Sequence, residues 1–293
     1  MKDWFLSSGD WPADPQLYVR EIGKGTEPII ILHGGWGGEH SGLVDAFDFL
    51  TDDYRLIFYD QRGSLRSPFP DSLITFENHI KDVERLRKEL KIDKVNIIAH
   101  SMGSVLASAY AEKFPDHIKN LIVLAPAQLK NPLPKDDEAI FRDGQERLSK
   151  FLERNEVSQE LEKYNLTNGL ELNSKQQTAL FRIGFAKRML YDVSKWPELT
   201  GGRAIYQGHV FGLTAVTYPE EGWDYIECLN RADHPTTIIV GDHDFLDMGN
   251  GLMKEWIKPE MKIDLRILEK AGHILWIDQP QIFEQEILLG LKK

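Results

Sequence analysis

Short apolar runs rich in β-branched residues recur along the chain at positions 28–32, 55–59, 94–99, 121–124, 236–240 and 264–268. Several are apolar at successive positions, so they present apolar side chains on both faces, as strands buried under helices must. Between the second and third runs, Ile80, Val83, Leu86 and Leu90 recur at helical spacing, with Glu84 and Lys88 expected on the solvent side. Alternation of these two patterns predicts an α/β domain built on a largely parallel, helix-covered sheet.

The rhythm breaks between about 128 and 230. This stretch is charged and strand-poor, with helical patterns at 143–152 and 174–190, and the parallel-sheet pattern resumes at Thr236. The expected organisation is therefore a core made of 1–127 and 231–293, interrupted by an all-helical insertion at 128–230. Phe181, Phe185 and Met189 form one stripe in the insertion. Ordinary packing is the favoured role for such a stripe, and lining a substrate pocket is the alternative.

Composition narrows the function. The 293 residues carry 46 acidic and 35 basic side chains, a formal charge of −11. That balance argues against nucleic acid or an anionic membrane as partner, since both attract clustered Lys and Arg. The single cysteine, Cys228, can form neither an internal disulfide nor a Cys-rich zinc site. There is no apolar run of about 18 residues to span a bilayer, and no signal-peptide pattern at the start. The expectation is a soluble, cytoplasmic protein.

Candidate chemistry sits at the ends of the predicted strands. In Ala99-His100-Ser101-Met102-Gly103 a serine stands between a strand and a helix, the context of a nucleophile elbow. Helix capping is the plainer role for Ser101. His33-Gly34-Gly35-Trp36-Gly37-Gly38 follows the strand at 28–32 and can bring backbone N–H groups close to an oxyanion. A dinucleotide fingerprint would need glycine where His40 stands, and a phosphate loop would need a following Gly-Lys-Ser/Thr. Gly241-Asp242-His243-Asp244 ends a late strand, and Lys270-Ala271-Gly272-His273 follows another. Asp242, His243, Asp244 and Asp247 could instead gather a metal, but no second well-spaced histidine supports that. The order Ser101, Asp244, His273 is that of a nucleophile, acid and base set on a hydrolase sheet.

With these motifs, and with Asp60-Gln61-Arg62-Gly63-Ser64-Leu65-Arg66-Ser67, the chain from about Gln16 to Leu291 resembles the α/β-hydrolases, and within them the proline iminopeptidase branch of serine peptidases. The resemblance implies an α/β-hydrolase fold with a helical cap. It also implies acyl transfer in which Ser101 attacks a carbonyl, His273 moves the proton and Asp244 orients His273. Backbone N–H groups of Gly35 and Met102 would hold the oxyanion, and no metal or organic cofactor is required. Trp36 stands where the family usually has proline, and Leu65 where it has glycine. Gln207, in the segment 204–211, stands where the family places a glutamate that binds the substrate's free amine. Trp36 and Gln207 are thus candidate substrate contacts, with Glu220, Glu221 and Glu227 as substitute carboxylates. The implied activity is release of N-terminal residues from small peptides. Competing expectations are a carboxylesterase or lactonase on small apolar esters, and a non-catalytic ligand receptor. Dehalogenases and epoxide hydrolases of this fold use an aspartate nucleophile, which Ser101 excludes.

Overall fold

The computed structural model describes residues 1–7, 9, 15–167, 171–199 and 206–292. Its main sheet uses β1 (Lys2–Ser7), β2 (Gln16–Ile22), β3 (Glu27–Leu32), β4 (Tyr54–Tyr59), β5 (Val95–His100) and β6 (Ile118–Leu124). A two-residue ladder joins β7 (Lys130–Asn131) to β8 (Trp223–Asp224), and the main sheet is completed by β9 (Thr236–Gly241) and β10 (Ile263–Leu268). The eight strands run in the order β1-β2-β4-β3-β5-β6-β9-β10. The pairings β1–β2 and β2–β4 are antiparallel, and all others in the sheet are parallel.

The apolar runs became the parallel strands because helices cover both faces. Ile29 to Leu32 and Ile97 to Ala99 are fully buried, and each large side chain so buried contributes about 1.5–3 kcal/mol. One face packs under the helices Phe76–Glu89 and Met102–Lys113, and the other under Asp45–Leu50 and Pro280–Leu291. The largely exposed β1, and β2, in which only Leu17, Tyr18 and Val19 are buried, had no such continuous apolar signal.

Two expectations need correction. Glu84 is buried rather than solvated, because Arg87 (2.8 Å) and the Tyr110 hydroxyl (2.8 Å) meet its carboxylate under the helix. The insertion between β6 and β9 is not purely helical, since the β7–β8 ladder ties its first residues to its last. The insertion has its own small core around Ile183, Ala186, Leu190 and Trp196. It is also fastened to the sheet domain by Trp36 Nε1–H donating to Tyr218 Oη (2.6 Å), Trp256 Nε1–H to Asp137 (2.7 Å) and the Phe76 N–H to Thr217 Oγ1 (2.8 Å). Among the described residues no helix is long and apolar enough to cross a membrane.

Candidate active site

Ser101 leaves β5 at φ 55°, ψ −124°, a conformation that non-glycine residues rarely adopt and that costs energy unless its surroundings impose it. The surroundings do impose it. Its N–H donates to the Leu124 carbonyl (3.0 Å), and its own carbonyl accepts from the N–H groups of Ser104 (2.9 Å) and Ala127 (3.2 Å). The Ser101 side chain makes no capping bond to the helix Met102–Lys113, so the capping role does not explain it. Gly103 must be glycine, because a Cβ there would lie 2.6 Å from the Leu32 carbonyl oxygen.

The glycine loop after β3 presses against this elbow. A Cβ on Gly34 would come within 2.6 Å of Ser101 Cβ, so only glycine admits the contact. The loop is held from behind by the segment that follows β4. The Gln61 N–H donates to His33 Nε2 (3.1 Å), and Gln61 Nε2 donates to the His33 carbonyl (2.9 Å). Ser64 Oγ donates to the Gly38 carbonyl, and Asp60 accepts from the His40 N–H (3.1 Å) and contacts its ring (2.7 Å). Because His33 Nε2 accepts, its Nδ1 carries the hydrogen and donates to the Gly34 carbonyl (3.0 Å). Burial pushes the His33 and His100 rings down from the usual histidine range, so both stay neutral beside the site. The Asp60-to-Ser67 segment thus shapes the loop rather than reaching the cavity.

His273 and Asp244 come together from the loops after β10 and β9. Both are buried, and His273 Nδ1 lies 3.0 Å and 3.1 Å from the two Asp244 oxygens. Asp244 Oδ1 also accepts the Leu246 N–H (2.9 Å), which fixes the carboxylate's rotation. His100 Nε2 lies 3.1 Å from the His273 carbonyl, and the two rings stand 4.7 Å apart.

Ser101 and His273 open into one cavity of about 720 Å³. Its walls include Gly34, Gly35, Leu43, His100, Ile274, Trp276 and Phe283 from the sheet domain, and Phe185, Met189, Glu198, Leu199 and Tyr206 from the insertion. Phe185 and Met189 line the cavity and Phe181 is 75% exposed, so the packing role favoured for that stripe holds only for Met189, which also packs against the insertion's core. A hydroxyl and an oriented imidazole sharing one cavity beside a glycine loop can perform acyl transfer.

The other expected substrate contacts are placed elsewhere. Trp36 is fully buried against Phe76 and His79 and is not on the cavity wall. Gln207, whose N–H donates to the Gly37 carbonyl (3.0 Å), is not on the wall either; Ala204 and Ile205 of its segment lie outside the described residues. Glu220, Glu221 and Glu227 are exposed away from the cavity, Glu227 facing Arg231 (3.6 Å). The cavity's carboxylates are instead Glu39, Asp45, Glu198 and Glu284, which no motif marked. Of these, Glu39 is engaged by Ser41 and Arg66.

The aspartates considered for a metal serve separate tasks. Asp242 pairs with His243 (2.6 Å), while Asp247 accepts the N–H groups of Leu252 (3.1 Å) and Met253 (2.9 Å). Among the described residues Glu39, His40 and Asp60 do converge, but the Arg66 guanidinium bonds both carboxylates and supplies the positive charge there.

Residues 27–280 match the α/β hydrolase fold family, and the chain belongs to it. A proline iminopeptidase of Saccharolobus solfataricus is 26% identical over 265 residues, spanning 87% of this chain and 82% of that protein. Among solved structures, a proline iminopeptidase-related protein from Thermus thermophilus superposes with a TM-score of 0.65 at 21% identity, covering 99% of this chain and 97% of that one. An esterase from Exiguobacterium antarcticum gives 0.67 at 18% identity over the whole of both chains. At these identities the structural likeness is one of fold.

Proposed function

We propose that the protein is a serine hydrolase working through an acyl-enzyme. The observation that carries this reading is Ser101 held at φ 55° on the same cavity wall as His273, whose Nδ1 is held by Asp244. Ser101 Oγ bonds to the substrate carbonyl carbon while His273 Nε2 takes the hydroxyl proton. That proton passes to the leaving group as its bond to the carbonyl breaks, and water repeats the sequence to release the acid. Backbone N–H groups of Gly35 and Met102 hold the oxyanion, one such donor being worth about 3 kcal/mol. The insertion at 128–230 acts as a cap whose Phe185, Met189 and Tyr206 exclude long chains.

For substrate, the reading is removal of N-terminal residues from small peptides, proline above all. The 26% identical iminopeptidase supports it, as do Glu198 and Glu284, to which the reading assigns the substrate ammonium. A second reading, esterase action on small apolar esters, is favoured by the wall of Leu43, Phe185, Leu199, Ile274, Trp276 and Phe283. Rates on proline anilide and on a short-acyl phenyl ester, measured on one preparation, separate the two. Ser101→Ala should lose several orders of magnitude in turnover, and all labelling by a fluorophosphonate, while keeping its fold. Near-normal turnover in that variant would refute the mechanism.

A further inference from the structure

The insertion and the loop that carries His273 meet on one buried side chain. Asp278 ends the single-turn helix Leu275–Asp278 and is 6% exposed. Its Oδ2 accepts the backbone N–H groups of Gly272 (2.8 Å) and Tyr191 (2.8 Å), and its Oδ1 accepts that of Asp192 (3.1 Å). Gly272 immediately precedes His273, whereas Tyr191 and Asp192 follow the insertion helix Ser174–Met189. A second tie runs beside the first. The carbonyl of Met189, the last residue of that helix, accepts the N–H groups of His273 (2.8 Å) and Ile274 (3.2 Å). The approach is so close that a Cβ on Gly272 would lie 2.5 Å from the Met189 oxygen. The same helix contributes Phe185 and Met189 to the cavity wall. The backbone that sets the imidazole is therefore built against the element that shapes the cavity.

We propose that Asp278 is a positioning residue whose carboxylate, by accepting from both sides, sets His273 relative to Ser101 and to the insertion's cavity wall. The proposal rests on the serine hydrolase reading. Asp278→Ala leaves three N–H groups without their acceptor and frees the Gly272–His273 backbone from the insertion. Asp278→Asn is milder, because its oxygen can keep Gly272 and Tyr191 while its nitrogen confronts the Asp192 N–H.

The test measures kcat per fluorophosphonate-titrated site and the labelling rate constant, both well below Tm. Asp278→Ala should lose about 30- to 100-fold in both quantities, the scale of a misplacement near 1 Å. Asp278→Asn should lose about three- to tenfold, the scale of one lost hydrogen bond. Both variants should still reach full labelling. A tether of structural value alone would lower Tm and leave kcat per titrated site within about twofold, which overturns the proposal. If the alanine variant fails to fold, the asparagine variant decides by the same criterion. Absence of labelling in the wild type would overturn the serine hydrolase reading and this proposal with it; normal labelling with unchanged variants overturns the tether alone.

Discussion

Replacing Asp244 by asparagine changes one atom and should reverse the tautomer of His273. In the native site both carboxylate oxygens face Nδ1, at 3.0 Å and 3.1 Å, so Nδ1 carries the hydrogen and Nε2 is left as the proton acceptor. The Leu246 N–H at 2.9 Å from Oδ1 decides how an amide would sit. The amide oxygen must stay opposite that N–H, because turning it away would set a donor against a donor. The amide nitrogen then occupies the Oδ2 position and donates to Nδ1. The imidazole hydrogen moves to Nε2, and the ring can no longer take the Ser101 proton. A tautomer reversal of this kind costs about ten-thousand-fold in kcat, or about 5.5 kcal/mol of barrier. Steady-state kinetics on purified Asp244→Asn and Asp242→Asn, with circular dichroism to show that both fold, make the comparison. Asp242 touches His243 and the Ala271 N–H but not His273, so its asparagine variant should stay within about tenfold of wild type. Should Asp242→Asn be the more damaging, or Asp244→Asn retain most of its turnover, the assignment of the orienting acid is wrong.

Gln61→Met keeps the side-chain volume but removes the bond to the His33 carbonyl, so kcat should fall about tenfold with KM nearly unchanged; a rise in KM at constant kcat would contradict a role in shaping the glycine loop. Burial opposes the charge on Glu84, yet hydrogen bonds from Arg87, Tyr110 and Lys88 outweigh it and hold the carboxyl at about 2, below the ordinary 4.5. The stability this carboxylate contributes is therefore complete above pH 4.5 and is lost as pH falls towards 2. Glu84→Gln should lower stability at neutral pH by up to about 3 kcal/mol and flatten the acid limb of a urea-denaturation series, and an unchanged acid limb would refute the assignment.

The six parallel strands were legible from short β-branched runs, several of them continuously apolar as a sheet covered on both faces requires, alternating with helical patterns; their bounds in the structure follow those runs within a few residues. That Ser101, Asp244 and His273 stand in the turns after β5, β9 and β10 was legible because strand-end turns leave marks in the sequence, namely glycines and small residues where backbones must touch. Other features left no such mark. β1 is mostly exposed and β2 buries only Leu17, Tyr18 and Val19, so neither carries an apolar run long enough to set it apart. Glu84 has the residue type and spacing of a wet position, and only the arrival of Tyr110 from another helix made its burial favourable. The cavity wall was least legible. Trp36 sits within the glycine motif yet turns under the insertion to reach Tyr218, a residue far along the chain, whereas Glu198 and Glu284 face the cavity from segments without any motif. Local sequence determines which backbone conformations a turn can hold, and so where a nucleophile and its partners can stand. Which side chains surround them depends on how the insertion docks on the sheet domain, through contacts such as those at Asp278 and Met189 that join residues distant in sequence.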